Sequence, residues 1–115
     1  LAARCTSVFG RTPRVWGDFP RELDRVVTAT GSTGDLGRAC LQAQVDCLVC
    51  GEIKYHDALE LSQAGLAIID LGHDTSELPL VAVLADAVES VGIPSDLVMV
   101  VDQGDNWSYP ETLRV

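Results

Sequence analysis

From residue 26 onward, apolar residues fall into short solid runs, separated by stretches in which they recur every three or four positions. The runs at 26–30, 45–50 (continuous after Asp46), 66–71 and 97–101 are mostly apolar at consecutive positions, which predicts strands buried on both faces. Between them lie three helical patterns. The first has a stripe at Leu36, Ala39, Cys40 and Ala43; the second covers about 53–64 and ends at Gly65. The third covers about 77–91, with Leu80, Leu84, Ala87, Val88 and Val91 on one stripe and Gly92 closing it. The order βαβαβαβ predicts an α/β fold: a single three-layer domain with a mainly parallel sheet and helices on both faces. Residues 1–25 are less regular. A strand at 5–9, a turn at Gly10-Arg11-Thr12-Pro13 and a short strand from Val15 that stops by Pro20 are expected. The organisation is thus an irregular segment 1–25 and an α/β domain 26–115, its tail from Asp102 to Trp107 a turn-rich edge.

Composition narrows the function. At 115 residues and 47% hydrophobic content the chain suits one folded domain. No apolar run reaches the roughly 18–20 residues of a membrane span. The net charge of −9 disfavours a phosphate backbone as partner, so nucleic acid is not expected. Arg4, Arg11, Arg14, Arg21 and Arg25 gather in the first 25 residues, and the rest is strongly acidic. Cys47-x-x-Cys50 has the spacing of a redox or zinc pair but lies inside a strand, where positions three apart face opposite sides. With Cys5 and Cys40 it reads as a set of small buried hydrophobes in a reducing cytoplasm. The first residue is Leu rather than Met, which suits a piece of something longer.

The candidate chemistry is a pattern that occurs twice, 21 residues apart and mirrored: Gly51-Glu52-x-x-x-His56 and Gly72-His73-x-x-x-Glu77. Each follows a strand and opens a helix, and these are the chain's two histidines. A carboxylate and an imidazole four residues apart share one face of a helix. Ligands of a parallel sheet gather beyond the carboxyl ends of its strands. Those ends carry Ser32 and Thr33, then Glu52 and His56, then His73, Asp74 and Glu77, then Asp102. Capping accounts for some of these: Asp74 with Glu77 fits a capping box, or Ser76 caps and leaves Pro79 in a first turn. Asp35 suits a helix N-terminus by charge alone. His56 suits an exposed helix position equally well. The Gly31-Ser32-Thr33-Gly34 turn could hold an anion on its N–H groups, although it matches neither nucleotide fingerprint. His73 is not a capping type and favours a ligand role. Nitrogen and carboxylate ligands without cysteine suit a divalent transition metal such as Zn, Mn, Fe or Ni, which activates water for hydrolysis.

The run Gly51-Glu52-Ile53-Lys54-Tyr55-His56-Asp57-Ala58, followed by Ile69-Asp70-Leu71-Gly72-His73-x-x-x-Glu77, resembles the C-terminal half of the NGG-interacting-factor-three-like proteins. The turn at 31–34 matches that family's Gly/Ser loop, and the likeness covers about 24–107. The resemblance implies a dinuclear-metal, often hexameric protein, in some cases described as GTP cyclohydrolase type 2-like. It implies His73 and Glu77 as metal ligands, with Glu52 and His56 as catalytic or pocket-lining groups and Ser32 and Thr33 as anion or substrate contacts. It also implies a homo-oligomer and a small-molecule substrate. In that family a His-His pair and an Asp from the N-terminal half complete the metals; this chain has no His-His pair. A metal-dependent hydrolase-like domain is the leading expectation. The alternatives are a non-catalytic oligomerising domain with an incomplete site, and an anion-binding domain that uses the 31–34 loop without metal.

Overall fold

The structure, a computed structural model, describes residues 1–19 and 22–108. It divides into two compact units, Leu1–Leu80 and Val81–Val115. The first opens with helix α1 (Ala2–Phe9), whose Cys5 is buried. Ala2 and Phe9 pack beside it, which places a helical i, i+3, i+7 set against the core while Val8 stays 70% exposed. Gly10 ends the helix at φ 70°, its N–H donating to the carbonyl of Thr6. The strand expected at 5–9 is therefore a helix. The buried face recurs at helical spacing, from Ala2 through Cys5 to Phe9, and so begins before the five residues read as a strand.

Strand β1 (Arg14–Trp16) follows as expected and runs antiparallel to β4 (Ala67–Asp70). Strands β2 (Val26–Thr28) and β3 (Cys47–Cys50) complete an open sheet of order β1-β4-β3-β2, in which β2, β3 and β4 are mutually parallel. Helices α2 (Leu36–Gln42) and α3 (Tyr55–Gln63) are the crossovers between the parallel strands.

Alternation along the strands divides the core into two layers. Leu48, Cys50 and Ile68 face α2 and α3, meeting Cys40, Ala58 and Leu61. Cys47, Val49, Ala67 and Ile69 face the opposite side, where Cys5 of α1 covers them. Every residue of β3 and β4 is buried, Leu48, Ile68 and Ile69 completely. Burial of each such large side chain stabilises the fold by about 1.5–3 kcal/mol. This is the three-layer α/β arrangement the sequence predicts. Within α2 the buried side differs from expectation: Gly37 and Cys40 are buried, with Leu36 and Leu41 packed beside them, while Ala39 and Ala43 are exposed.

The single helix expected at 77–91 is two: α4 (His73–Glu77) and α5 (Pro79–Ser90). Pro79 stands at the first position of α5, where its missing N–H is harmless. The expected α5 stripe is not buried, with Leu80, Leu84, Val88 and Val91 all more than two-fifths exposed. In the second unit a 3-10 turn, Ser95–Leu97, replaces the start of the strand expected at 97–101. Val98 has extended backbone, but no ladder partner exists for it among the described residues. An apolar β-branched run supplies the propensity for a strand and not the neighbour that a strand requires. After it, the Asp102 carboxylate accepts from the Gly104 N–H in a turn, with no strand edge. No described helix is long and apolar enough to cross a membrane.

Candidate functional site

The two mirrored segments leave the sheet at the carboxyl ends of adjacent parallel strands, β3 and β4. After β3, pairing continues beyond the named strand: Ser32 and Glu52 form a further parallel bridge. The Glu52 N–H donates to the Gly31 carbonyl at 2.9 Å, and the Thr33 N–H donates to the Glu52 carbonyl at 3.1 Å. Gly51 makes this approach possible, since a Cβ there would collide with Ser76 Oγ and lie 2.6 Å from the Gly31 nitrogen. Lys54 is extended at φ −66°, ψ 145°, and α3 begins only at Tyr55. Glu52 and His56 therefore do not share a helical turn, contrary to the spacing argument. His56 is exposed, and its ring lies edge-on to Tyr55 at 5.4 Å.

After β4 the same spacing is helical. Gly72, at φ 93°, is the N-cap, and α4 holds both His73 and Glu77. His73 Nε2 lies 3.3 Å from Glu77 Oε1, as positions four apart on a helix allow. On its other side His73 Nδ1 lies 2.8 Å from Glu52 Oε2. The structure thus brings Glu52, His73 and Glu77 together, each about half exposed. Ser32 Oγ reaches Glu52 at 3.5 Å. No bond joins Asp35 to its helix as a side-chain cap. The capping box does not form either: Asp74 lies inside α4, and its cap residue, Gly72, makes no side-chain cap bond.

Several residues that support this cluster were not singled out in the sequence as such. The buried Ser76 hydroxyl donates to the His73 carbonyl at 2.8 Å and accepts the Gly31 N–H at 3.0 Å. Gly31 and Thr33 thus commit their N–H groups within the fold. Arg11 grips both oxygens of Asp74, at 2.7 and 3.2 Å. Arg14 reaches the buried Asp70 at 2.6 Å, whose other oxygen accepts the Gly72 N–H at 3.0 Å. The cross-strand register of Arg14 and Asp70 was the one available signal for these ties, and it needs the antiparallel pairing to be known first.

The hydrogen bond from His73 lowers the Glu52 pKa below the ordinary carboxylate value. The same bond, followed by the charge of Glu77, raises that of His73. A protonated His73 donates to both carboxylates; in the neutral ring that keeps Nδ1–H on Glu52, Nε2 would carry the lone pair and face Glu77. Two ligands of one tetrahedral zinc, at bonds of about 2.0–2.1 Å, stand about 3.3 Å apart. The Nε2–Oε1 separation of 3.3 Å matches that edge, and Glu52 stands where a carboxylate orients a metal-binding imidazole. His73 and Glu77 fit two ligands of a metal, with Glu52 behind the ring. Among the described residues no group of three or more His, Cys, Asp or Glu side chains is arranged to hold a metal ion by itself.

A mainly parallel α/β layer with a His–carboxylate cluster at its carboxyl edge defines the class of domain. The chain belongs to the Duf34/NIF3 (NGG1p interacting factor 3) family, whose sequence model matches residues 1–102. It is 33% identical over 94 residues to the GTP cyclohydrolase 1 type 2 homolog of Neisseria meningitidis serogroup B, covering 79% of this chain and 36% of that protein. It is 40% identical over 57 residues to the Campylobacter jejuni protein of the same name, covering 50% and 22%. A crystal structure of a Thermus thermophilus protein matches with a TM-score of 0.65 at 27% identity, over 79% of this chain and 36% of that one. A Bacillus cereus protein related to NIF3 shares the fold with a TM-score of 0.70 at 18% identity, over 96% and 31%. The chain spans between 22% and 36% of the length of these relatives.

Proposed function

We propose that this chain carries part of a divalent transition-metal site of a hydrolase-like protein, with His73 and Glu77 as ligands. The observation that supports this most is the 3.3 Å placement of His73 Nε2 against Glu77 Oε1, with Glu52 on the opposite ring nitrogen. A metal bound there would supply a Lewis acid and activate water near neutral pH. Glu52 holds the imidazole plane and tautomer. It is also the carboxylate placed to accept a proton at Nδ1. Glu77 presents its Oε1 beside Nε2. A protein ligand set of three or four for zinc needs further groups, supplied from outside the described cluster. The relatives' cyclohydrolase names suggest hydrolytic opening of a ring, and a cyclic amide and a phosphoester are the substrate classes to test. His56 is left out of the cluster, since it is exposed and its ring meets Tyr55.

Metal analysis of protein purified without chelators tests this reading. Near-stoichiometric Zn, Mn, Fe or Ni that disappears in His73→Ala plus Glu77→Ala is expected. Content that is sub-stoichiometric and unchanged by the double substitution would sink it. Turnover of a cyclic amide or phosphoester that vanishes in the same variant supports hydrolysis. An oligomerising, non-catalytic domain is the second reading, favoured by the exposed apolar residues Leu80, Val83, Leu84 and Val88 of α5. Retained metal, no turnover across a substrate panel and an oligomeric mass in solution would favour it.

A further inference from the structure

We infer that Arg11 is a positioning residue for the candidate site, holding through Asp74 the short helix from which His73 and Glu77 project. Its function rests on the metal-ligand reading of His73; its geometry does not. Helix α4 has five residues, too few to be stable as an isolated helix. Its N-cap is a glycine with no side-chain cap bond, so its orientation must come from ties to the rest of the fold.

Besides the His73–Glu52 bond and the Gly72 N–H on Asp70, two ties flank the helix. On one side Ser76 Oγ links the His73 carbonyl to the Gly31 N–H. On the other, Asp74 Oδ1 accepts the Thr75 N–H at 2.8 Å and Arg11 Nη1 at 2.7 Å, while Oδ2 accepts Arg11 Nη2 at 3.2 Å. A guanidinium on both oxygens fixes the plane of the carboxylate, which a single donor does not. Arg11 follows Gly10, the C-cap of α1, so its anchor is the layer opposite α2 and α3. It also packs against Gly72, where a Cβ would lie 3.4 Å from Nη1. The guanidinium and Asp74 are both about four-fifths buried, so water competes little for the fork. Lysine would keep the charge but grip one oxygen at a time.

The test compares Arg11→Ala and Arg11→Lys with the unsubstituted chain. It uses Co(II) affinity and the ring ¹⁵N resonances of His73, which loss of signal in His73→Ala separates from the only other histidine. We expect both substitutions to displace the His73 resonances and weaken Co(II) binding about tenfold, with the far-UV spectrum unchanged. If the unsubstituted protein, assembled with the groups that complete the site, binds no Co(II), the metal reading fails, and displaced His73 resonances alone still support positioning. Arg11→Lys decides the matter if Arg11→Ala does not fold. The inference is overturned if the His73 resonances keep the parent's positions and any Co(II) affinity stays within twofold of the parent in either folded variant.

Discussion

The two mirrored segments have the same spacing and leave neighbouring strands, yet only one becomes a compact pair. After β4 the helix starts at once, so His73 and Glu77 fall one turn apart. After β3 the backbone stays extended through Lys54, held by the Ser32–Glu52 bridge, and the helix starts too late to include Glu52. Glu52 is thereby released from His56 and delivered to His73 instead. Spacing in sequence implies shared geometry only where the helix begins before the first member of the pair. Here one bridge between the segments that follow β2 and β3 decides it.

The sharpest way to break this comparison is at the two glycines. Gly51→Ala places a Cβ against Ser76 Oγ and the Gly31 backbone, and should destabilise the fold by roughly 3 kcal/mol. Gly72→Ala meets more room, with Arg11 Nη1 at 3.4 Å, but is strained by its φ of 93°, which costs about 1–2 kcal/mol. Urea midpoints order the two. If Gly51→Ala is the milder, the close approach of the two strand ends is not what holds the first turn.

A smaller effect is expected from Glu52→Gln, which removes the charged acceptor from His73 Nδ1 and should weaken metal binding roughly tenfold. Equal binding by Glu52→Gln and the parent, measured by competition with a chromophoric chelator, would remove Glu52 from the site. Smaller again is the contribution of Asp74. Arg11 holds its carboxyl below the ordinary Asp value. A depressed folded-state pKa stabilises above the unfolded value, about 3.9, and the gain is lost as pH falls through the folded value. The stability gap between the parent and Asp74→Asn should be constant from about pH 8 to 5 and shrink below about 4. A gap that is already absent at neutral pH would mean the fork contributes nothing. Least affected is the strand between the two turns. Burial pushes the thiols of Cys47 and Cys50 up to about 11 and about 12. A thiol reagent at about pH 8 should therefore label them only on unfolding, and rapid labelling of the native protein would contradict the packing of β3.

Much of the core was legible because β3 and β4 are buried on both faces and so read as solid apolar runs. His73 with Glu77 was legible because its geometry is local. What was not legible depends on distant partners. Arg11 meets Asp74 across 63 residues, and Gly31 meets Ser76 across 45. The helix at Ala2–Phe9 was missed because its buried face is narrow: Cys5 is its one buried residue, with Ala2 and Phe9 packed beside it. The run at 97–101 has strand composition without a strand to pair with among the described residues.

The measurement that bears most directly on the asymmetry is a Co(II) titration of the parent, His73→Ala and His56→Ala, followed in the visible ligand-field bands. His73→Ala should abolish the bands, while His56→Ala should leave the affinity within twofold. Binding that survives His73→Ala, or that falls as far in His56→Ala, would contradict the asymmetry.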